Sequence, residues 1–314
     1  MRHVIALDVG GTSMKAALVG EDGGVLHRAR RATGRESGPE AVVENLLAFA
    51  AELRAHGADR LGAPALAAGV AVPGTVDETR GVALYSANLG WRDVPLRALL
   101  AERLGMPVAL GHDVRTGGLA EGRAGAGRGT DRFLFVALGT GIAGAIGLAG
   151  RVEAGANGFA GEIGHIVVRP DGDPCPCGQT GCLERYASAA AVGSAWAGVS
   201  GRADADAADC ARAVAAGDPD AARVWAGAVD ALADGLVTAL TLLDPGTLIV
   251  GGGLAEAGDV LFGPLRAAVE RRITFQSAPT LLPAALGDGA GCLGAALLAQ
   301  DLLSITPQTT EVST

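Results

Sequence analysis

Hydrophobic spacing changes repeatedly along this chain, and each change predicts an element. His3–Leu7 is an apolar run too short for a helix, and Asp8-Val9-Gly10-Gly11-Thr12 closes it as a turn. Ser13–Val19 and Val25–Arg31 read as two further strands joined by Glu21-Asp22-Gly23-Gly24, so the chain opens as a β-meander. From 40 to 56 the spacing becomes helical. Val42, Leu46, Phe49, Ala50 and Leu53 share one face, and Pro39 stands at the N-terminal end, where its missing N–H is not needed. Leu66–Val72 predicts a strand ended by Pro73-Gly74, and a loop carrying Asn88 and Trp91 follows. Leu96–Leu104 predicts a short helix stopped by Gly105, and Pro107–Leu110 another strand.

Asp113 opens a helical segment to about Gly122. Phe133–Leu138 and Ile142–Leu148 then form a hairpin around Gly139-Thr140-Gly141, with the same order and turn chemistry as the first one. We read this as a weak internal repeat that suggests two related halves. The remainder is mostly helical. Val224, Val229, Leu232, Leu236 and Leu240 mark a helix from Asp220 to Leu243, ended by Asp244-Pro245. Thr247–Val250 predicts a strand running into Gly251-Gly252-Gly253, and 257–272 and 291–303 predict further helices. The tail from Thr306 is polar and is expected to be disordered.

The 314 residues are enough for two packed domains, and a hydrophobic fraction of 49% supplies their cores. The net charge of −9 argues against nucleic acid as a partner, because grip on phosphate backbone needs clustered Lys and Arg. Only Arg28, Arg30 and Arg31 cluster, as a solvated strand end. No apolar stretch is long enough to predict a membrane partner, and no cleavage pattern follows the opening MRHVIAL. A cytoplasmic protein with reduced thiols is expected.

The chemistry concentrates between Gly161 and Glu184. His165, Cys175, Cys177 and Cys182 offer one imidazole and three thiols within 18 residues. These are preferred zinc ligands, and four of them close a tetrahedral shell with no open position for water, so the site reads as structural. Ordinary reduced cysteines are the plainer alternative, but three of the five cysteines fall within eight residues that also hold glycine and proline. A disulfide would leave an odd thiol and pair close neighbours poorly. Glu162 and Glu184 flank the loop, and a metal would fix both in space.

Two Gly/Thr turns and the Gly-Gly-Gly turn suit a triphosphate. Glycine lets backbone N–H groups approach phosphate oxygens, and threonine adds a hydroxyl. Any one turn is weak evidence, but Asp8 and Lys15 flank the first, and Asp8 suits Mg²⁺ held through water. There is no GxxxxGK[ST] loop, and a strand rather than a helix follows the first turn, which excludes the dinucleotide fingerprint.

Asp8-Val9-Gly10-Gly11-Thr12-Ser13-Met14-Lys15 resembles the first phosphate motif of the ROK family of sugar kinases, and Leu138–Gly144 resembles their second. Pro73-Gly74-Thr75-Val76-Asp77, Asn88-Leu89-Gly90-Trp91, Gly161–His165 and the Cys-x-Cys-Gly-x-x-Gly-Cys-x-Glu run match in order, from residue 4 to about 300. The resemblance implies an α/β chain with the actin-like ATPase (ribonuclease H-like) fold, two α/β domains around a cleft. The smaller would comprise 1–112 joined by a C-terminal helix at about 295–305, and the larger 113–294. The implied activity is ATP-dependent phosphorylation of a hexose, glucose foremost, at its 6-hydroxyl. N-acetylhexosamine kinase, fructokinase and polyphosphate-using glucokinase activities are the alternatives, with a catalytically weak sugar sensor behind them. A repressor of the same family would need a DNA-binding domain ahead of Asp8, for which seven residues leave no room.

The resemblance also implies roles. Asp113 would be the catalytic base. Gly74, Asn88, His112, Asp113, Glu162, His165 and Glu184 would bind the sugar, His165 while also ligating zinc. Asp8, Gly10, Gly11, Thr12, Lys15, Gly139, Thr140 and Gly141 would hold phosphates, and Gly251, Gly252 and Gly253 the adenosine side. Zinc, Mg²⁺ and ATP are the implied cofactors, and a homodimer or homotetramer the implied assembly. Two positions depart from the family's pattern. His112 stands where Asn usually precedes the base, and Arg115 stands where Asn is frequent. An altered sugar preference and an inert spacer are both open for His112.

Overall fold

The computed structural model describes residues 1–304. The tail expected to be disordered lies outside the described residues. The chain forms two compact units, residues 1–120 with the C-terminal segment from Asp288, and residues 121–287.

The first unit is built on the meander. Strands β1 (His3–Val9), β2 (Ser13–Gly20) and β3 (Val25–Ala32) are antiparallel, and β4 (Ala68–Val72) and β8 (Val108–His112) continue the sheet in parallel, in the order β3-β2-β1-β4-β8. Helix α1 (Pro39–Leu61) lays Val42, Leu46, Phe49, Ala50 and Leu53 on one face of the sheet, with Ile5, Leu7, Val70 and Leu110 beneath them. The helix runs past the expected end at residue 56. Gly57 lies inside the helix, and glycine suits the position because a Cβ there would lie 2.5 Å from the ring of buried His3. Helix α2 (Leu96–Leu104) ends as expected at Gly105 in the left-handed conformation.

The stretch read as a loop around Asn88 and Trp91 holds a small antiparallel sheet of β5 (Thr75–Asp77), β6 (Val82–Ser86) and β7 (Trp91–Val94). These strands are too short to show an alternating pattern. Buried Trp91 donates its indole N–H to Pro39 O at 3.1 Å, which ties the small sheet to α1.

The second unit repeats the plan. Strands β9 (Arg132–Leu138), β10 (Ile142–Leu148) and β11 (Arg151–Val152) form the meander, and β12 (Thr247–Gly251) and β13 (Thr280–Pro283) extend it in parallel, in the order β11-β10-β9-β12-β13. The hairpin similarity in the sequence is thus one part of a shared five-strand topology. Helices α4 (Glu184–Ala187), α5 (Ala189–Ser200), α6 (Ala207–Ala215), α7 (Pro219–Leu243) and α8 (Asp259–Glu270) complete the unit. Helix α7 is apolar and long enough to cross a membrane by composition alone. Here Trp225, Val229, Leu232, Leu236 and Leu240 bury it in the core beside Leu134, Val136, Leu248 and Val250.

Helix α3 (Asp113–Ala124) runs from the first unit into the second, and α9 (Ala290–Ser304) belongs to the first. The compact units divide at 120/121 and 287/288. Packing binds the start of α3 to α9. A Cβ on Gly294 would lie 1.9 Å from Thr116 O, so the start of α3 and the start of α9 touch backbone to backbone. Ala295, Ala296 and Ala299 then pack on Val4, Ala6, Ala17 and Val19 of the sheet.

Candidate active site and metal centre

Parallel pairing decides where the first unit's polar residues emerge. Asp8 pairs in register with Ala71, and Val72 with His112. The chain therefore leaves β1, β4 and β8 on one sheet edge, at the Asp8 turn, at Pro73-Gly74 and at Asp113. Asp113 is half-buried and is the first residue of α3, where its Oδ1 accepts the Val114 N–H at 2.7 Å.

The first glycine turn is held from both sides. Gly10 N–H donates to Ser13 O at 3.0 Å, Thr33 Oγ1 donates to Gly10 O at 2.7 Å, and Thr33 N–H donates to Thr12 O at 3.0 Å. Thr12 is exposed, and Gly11 lies against exposed Asn88. Lys15 is the cross-strand partner of Asp8, with Nζ 3.8 Å from Oδ2, and it also pairs with Asp288. Burial pushes the Asp8 carboxyl above its ordinary value, and the Lys15 cation only partly offsets this.

In the second unit Gly139 N–H donates to Gly141 O at 3.0 Å, closing the turn that exposes Thr140. Two outside groups fix it. Ala189 N–H donates to Gly139 O at 2.9 Å, and the Glu184 carboxylate accepts the Ile142 N–H at 2.8 Å. Gly251 ends β12, and Gly252 and Gly253 enter a 3₁₀ turn with Gly252 and Gly253 exposed.

The Gly161–His165 segment lies flush on β10. Gly144 N–H donates to Gly161 O at 2.7 Å, and a Cβ on Gly161 or Gly164 would sit 2.1 Å from a β10 carbonyl. Only glycine fits at those two positions, and Glu162 and His165 ride on the backbone they press into place. The loop that follows folds back on itself. Val168 N–H and Leu183 N–H donate to Gly181 O and Ile166 O at 2.9 and 2.8 Å.

That fold-back gathers His165, Cys175, Cys177 and Cys182, whose ligand atoms all lie within 4.8 Å of one another. Cys177 Sγ is 3.6 Å from Cys182 Sγ, and Cys175 Sγ is 3.8 Å from His165 Nδ1. A tetrahedron with zinc–sulfur bonds of about 2.3 Å has edges of about 3.8 Å, so the spacing suits zinc. The Gln179 backbone N–H holds the exposed Cys177 thiol below its ordinary value, which favours the thiolate a metal needs. The remaining cysteines, Cys210 in α6 and Cys292 in α9, are buried elsewhere.

Several residues at the site are not singled out by the sequence. Thr33 anchors the first turn, Asp288 partners Lys15, and Glu78, between β5 and β6, reaches His112 and Arg115. Each meets its partner across a long stretch of chain, and no local pattern announces such a pair.

Residues 4–302 match the model of the ROK family. The chain is 36% identical over 314 residues to a glucokinase of Thermotoga maritima, covering 95% of this chain and 97% of the other. Among solved structures, a ROK hexokinase from Thermus thermophilus superposes with a TM-score of 0.85 at 35% identity, covering 96% of this chain and 99% of that one. A ROK family glucokinase from Streptomyces griseus in complex with glucose and AMPPNP gives a TM-score of 0.79 at 32% identity, covering 95% and 99%.

Proposed function

The chain belongs to the ROK family, with the actin-like ATPase fold, and on that premise we propose that it is an ATP-dependent hexose kinase acting foremost on glucose. The observation that carries this reading is the shared sheet edge of Asp113 and the Asp8–Lys15 turn in the first unit. Near full-length likeness to a glucokinase supports the substrate class.

Asp113 takes the proton of the sugar 6-hydroxyl as that oxygen forms its bond to the γ-phosphorus. The bond from the γ-phosphorus to the β,γ-bridging oxygen breaks, and its electron pair leaves on ADP. Such a transfer asks for positioning and charge balance rather than covalent catalysis. The backbone turns at Gly10-Gly11-Thr12 and Gly139-Thr140-Gly141 present N–H and hydroxyl donors to phosphate oxygens, and Lys15 adds a cation. Gly251–Gly253 line the adenosine side. Asp8, partly buried beside Lys15, suits Mg²⁺ held through water, and the bound metal would neutralise phosphate charge.

Gly74, Asn88, Glu162, His165 and Glu184 pair the sugar hydroxyls, since each hydroxyl needs a partner once water leaves. His165 turns Nδ1 toward Cys175, so its Nε2 is the nitrogen assigned to the sugar. His165, Cys175, Cys177 and Cys182 would hold zinc in a closed shell, which would fix the loop that carries Glu162 and Glu184 without a part in the transfer. A cytoplasmic homodimer or homotetramer completes the reading, with light scattering as its check.

The test is ADP release by the purified protein with Mg·ATP and glucose, mannose, fructose, N-acetylglucosamine or N-acetylmannosamine in turn. Turnover on glucose above the other sugars is expected. Folded, zinc-loaded protein that turns over none of them would overturn the reading.

A further inference from the structure

Phosphoryl transfer does not itself demand a histidine before the base or an arginine two residues after it. This chain has both, and the structure joins them. His112 and Arg115 are 6% and 3% exposed. A guanidinium so far from water is costly unless it is paired. Its partner is Glu78, 37 residues away, whose Oε1 accepts Arg115 Nε–H at 2.9 Å and lies 2.8 Å from Nη2. The same oxygen accepts the His112 backbone N–H at 3.1 Å. The turn that carries Glu78 is itself braced. Asp77 accepts the Arg80 N–H at 2.8 Å, and the Arg97 guanidinium donates to Glu78 O and Thr79 O at 3.4 and 2.8 Å.

The next link runs through the imidazole. Arg115 N–H donates to His112 Nδ1 at 3.4 Å. A ring nitrogen that accepts carries no proton, so this network assigns the ring proton to Nε2. Nε2 lies 3.3 Å from Asp113 Oδ1. Burial, helped by the Arg115 cation, pushes the imidazole down to about 3, so the ring presents a dipole rather than a charge. The difference bears on the base. A full positive charge beside Asp113 would favour its ionised form and weaken it as a proton acceptor, whereas a neutral N–H orients the carboxylate at little cost in basicity.

We propose that Glu78, Arg115 and His112 form a positioning relay that sets the orientation of the Asp113 carboxylate, and that His112 serves the base rather than the sugar. The proposal rests on the kinase reading for its consequence in catalysis. The geometry that carries it, buried Arg115 paired with half-buried Glu78 of the small sheet's turn and reaching the residue before the base, lies wholly within the first unit.

Two side chains separate this proposal from a sugar contact. Glutamine sets an N–H near the position of the histidine Nε2, whereas asparagine is too short to reach it. His112→Asn is expected to lower kcat by about 10- to 100-fold, the scale of a misplaced catalytic group, with the KM for glucose held within about twofold and the ranking of sugars unchanged. His112→Gln is expected to keep most of kcat. Glu78→Gln, which removes the charge but little shape, is expected to lower kcat in the same direction. A changed KM or sugar ranking with kcat preserved in His112→Asn would overturn the relay and make His112 a sugar contact. Nitrogen NMR of the histidine rings in the wild-type protein gives a readout apart from turnover. The neutral Nε2–H tautomer is expected at His112, and the Nδ1–H tautomer would refute the relay even if the enzyme is active. Wild-type protein inactive on every sugar would refute the kinase reading, and the tautomer would still decide the relay.

Discussion

The carboxylate of Glu184 accepts the backbone N–H of Ile142 at 2.8 Å, one residue past the Gly139-Thr140-Gly141 turn. The contact joins the far end of the cysteine loop to the turn we assign to phosphate. A Cβ on Gly141 would lie 2.3 Å from the same oxygen, so the turn is seated directly on this side chain. Glu184 thus has a task in the unliganded chain beyond the sugar contact assigned to it. Glu184→Ala would orphan a partly buried N–H at a cost of about 1–3 kcal/mol. We expect the KM for ATP to rise about 5- to 150-fold, in proportion to that cost, with Glu184→Gln recovering most of it through its remaining acceptor. Steady-state kinetics with each substrate varied in turn checks this. A rise confined to the glucose KM would show that the sugar contact is the whole role.

Removing one ligand from the cysteine cluster should cost metal and fold together. The unfolded chain has no preformed site, so zinc binding free energy enters directly into stability. Wild-type protein is expected to hold about one zinc per chain, as a closed four-ligand site does. Cys177→Ser is expected to lose the metal and unfold at lower temperature, and a strong chelator should shift the wild type the same way. Plasma emission spectrometry beside thermal melts reads both. Metal-free wild type with an unchanged melt would refute the structural site.

Asp8 is expected to hold function at the expense of stability. Its folded pKa is raised above the ordinary 3.8, so the folded chain binds this proton more tightly than the unfolded chain. The stability it contributes is full below 3.8 and is lost as pH rises through the raised value. At neutral pH the wild type bears the cost of a partly buried charge. Asp8→Asn should therefore melt higher at about pH 7.5 in the absence of nucleotide, with the gain shrinking toward about pH 4. Each kcal/mol relieved corresponds to about 2–4 °C in domains of 150–250 residues. The same variant should lose kinase activity. A lower melting temperature at neutral pH would show that pairing with Lys15 outweighs burial.

Much of the fold is legible along the chain because its signals are local. Apolar spacing and glycine turns mark the two hairpins, and Gly105 marks the end of α2. The four metal-ligating side chains stand close enough in sequence to be read together, and the structure gathers them. What escapes the sequence is nonlocal. Strand β13 is four residues ending in Pro283, and it exists because β12 offers a parallel edge. The helix continues past residue 56 through Gly57, whose missing side chain leaves room for the His3 ring, 54 residues away in sequence. Glu78 resembles any acidic turn residue until buried Arg115 is found against it. The Glu184–Ile142 contact spans 42 residues and couples two motifs that are read separately in the sequence.

Kinase activity in this reading depends on Asp113 as the base, and Asp113→Asn isolates that role. Asparagine keeps the shape and an acceptor for the Val114 N–H but cannot take a proton at neutral pH. We expect a fall in kcat of about 10²- to 10⁴-fold, the usual worth of a general base, with calorimetric glucose affinity within about threefold of wild type. A kcat within about tenfold of wild type, with glucose still bound, would contradict it.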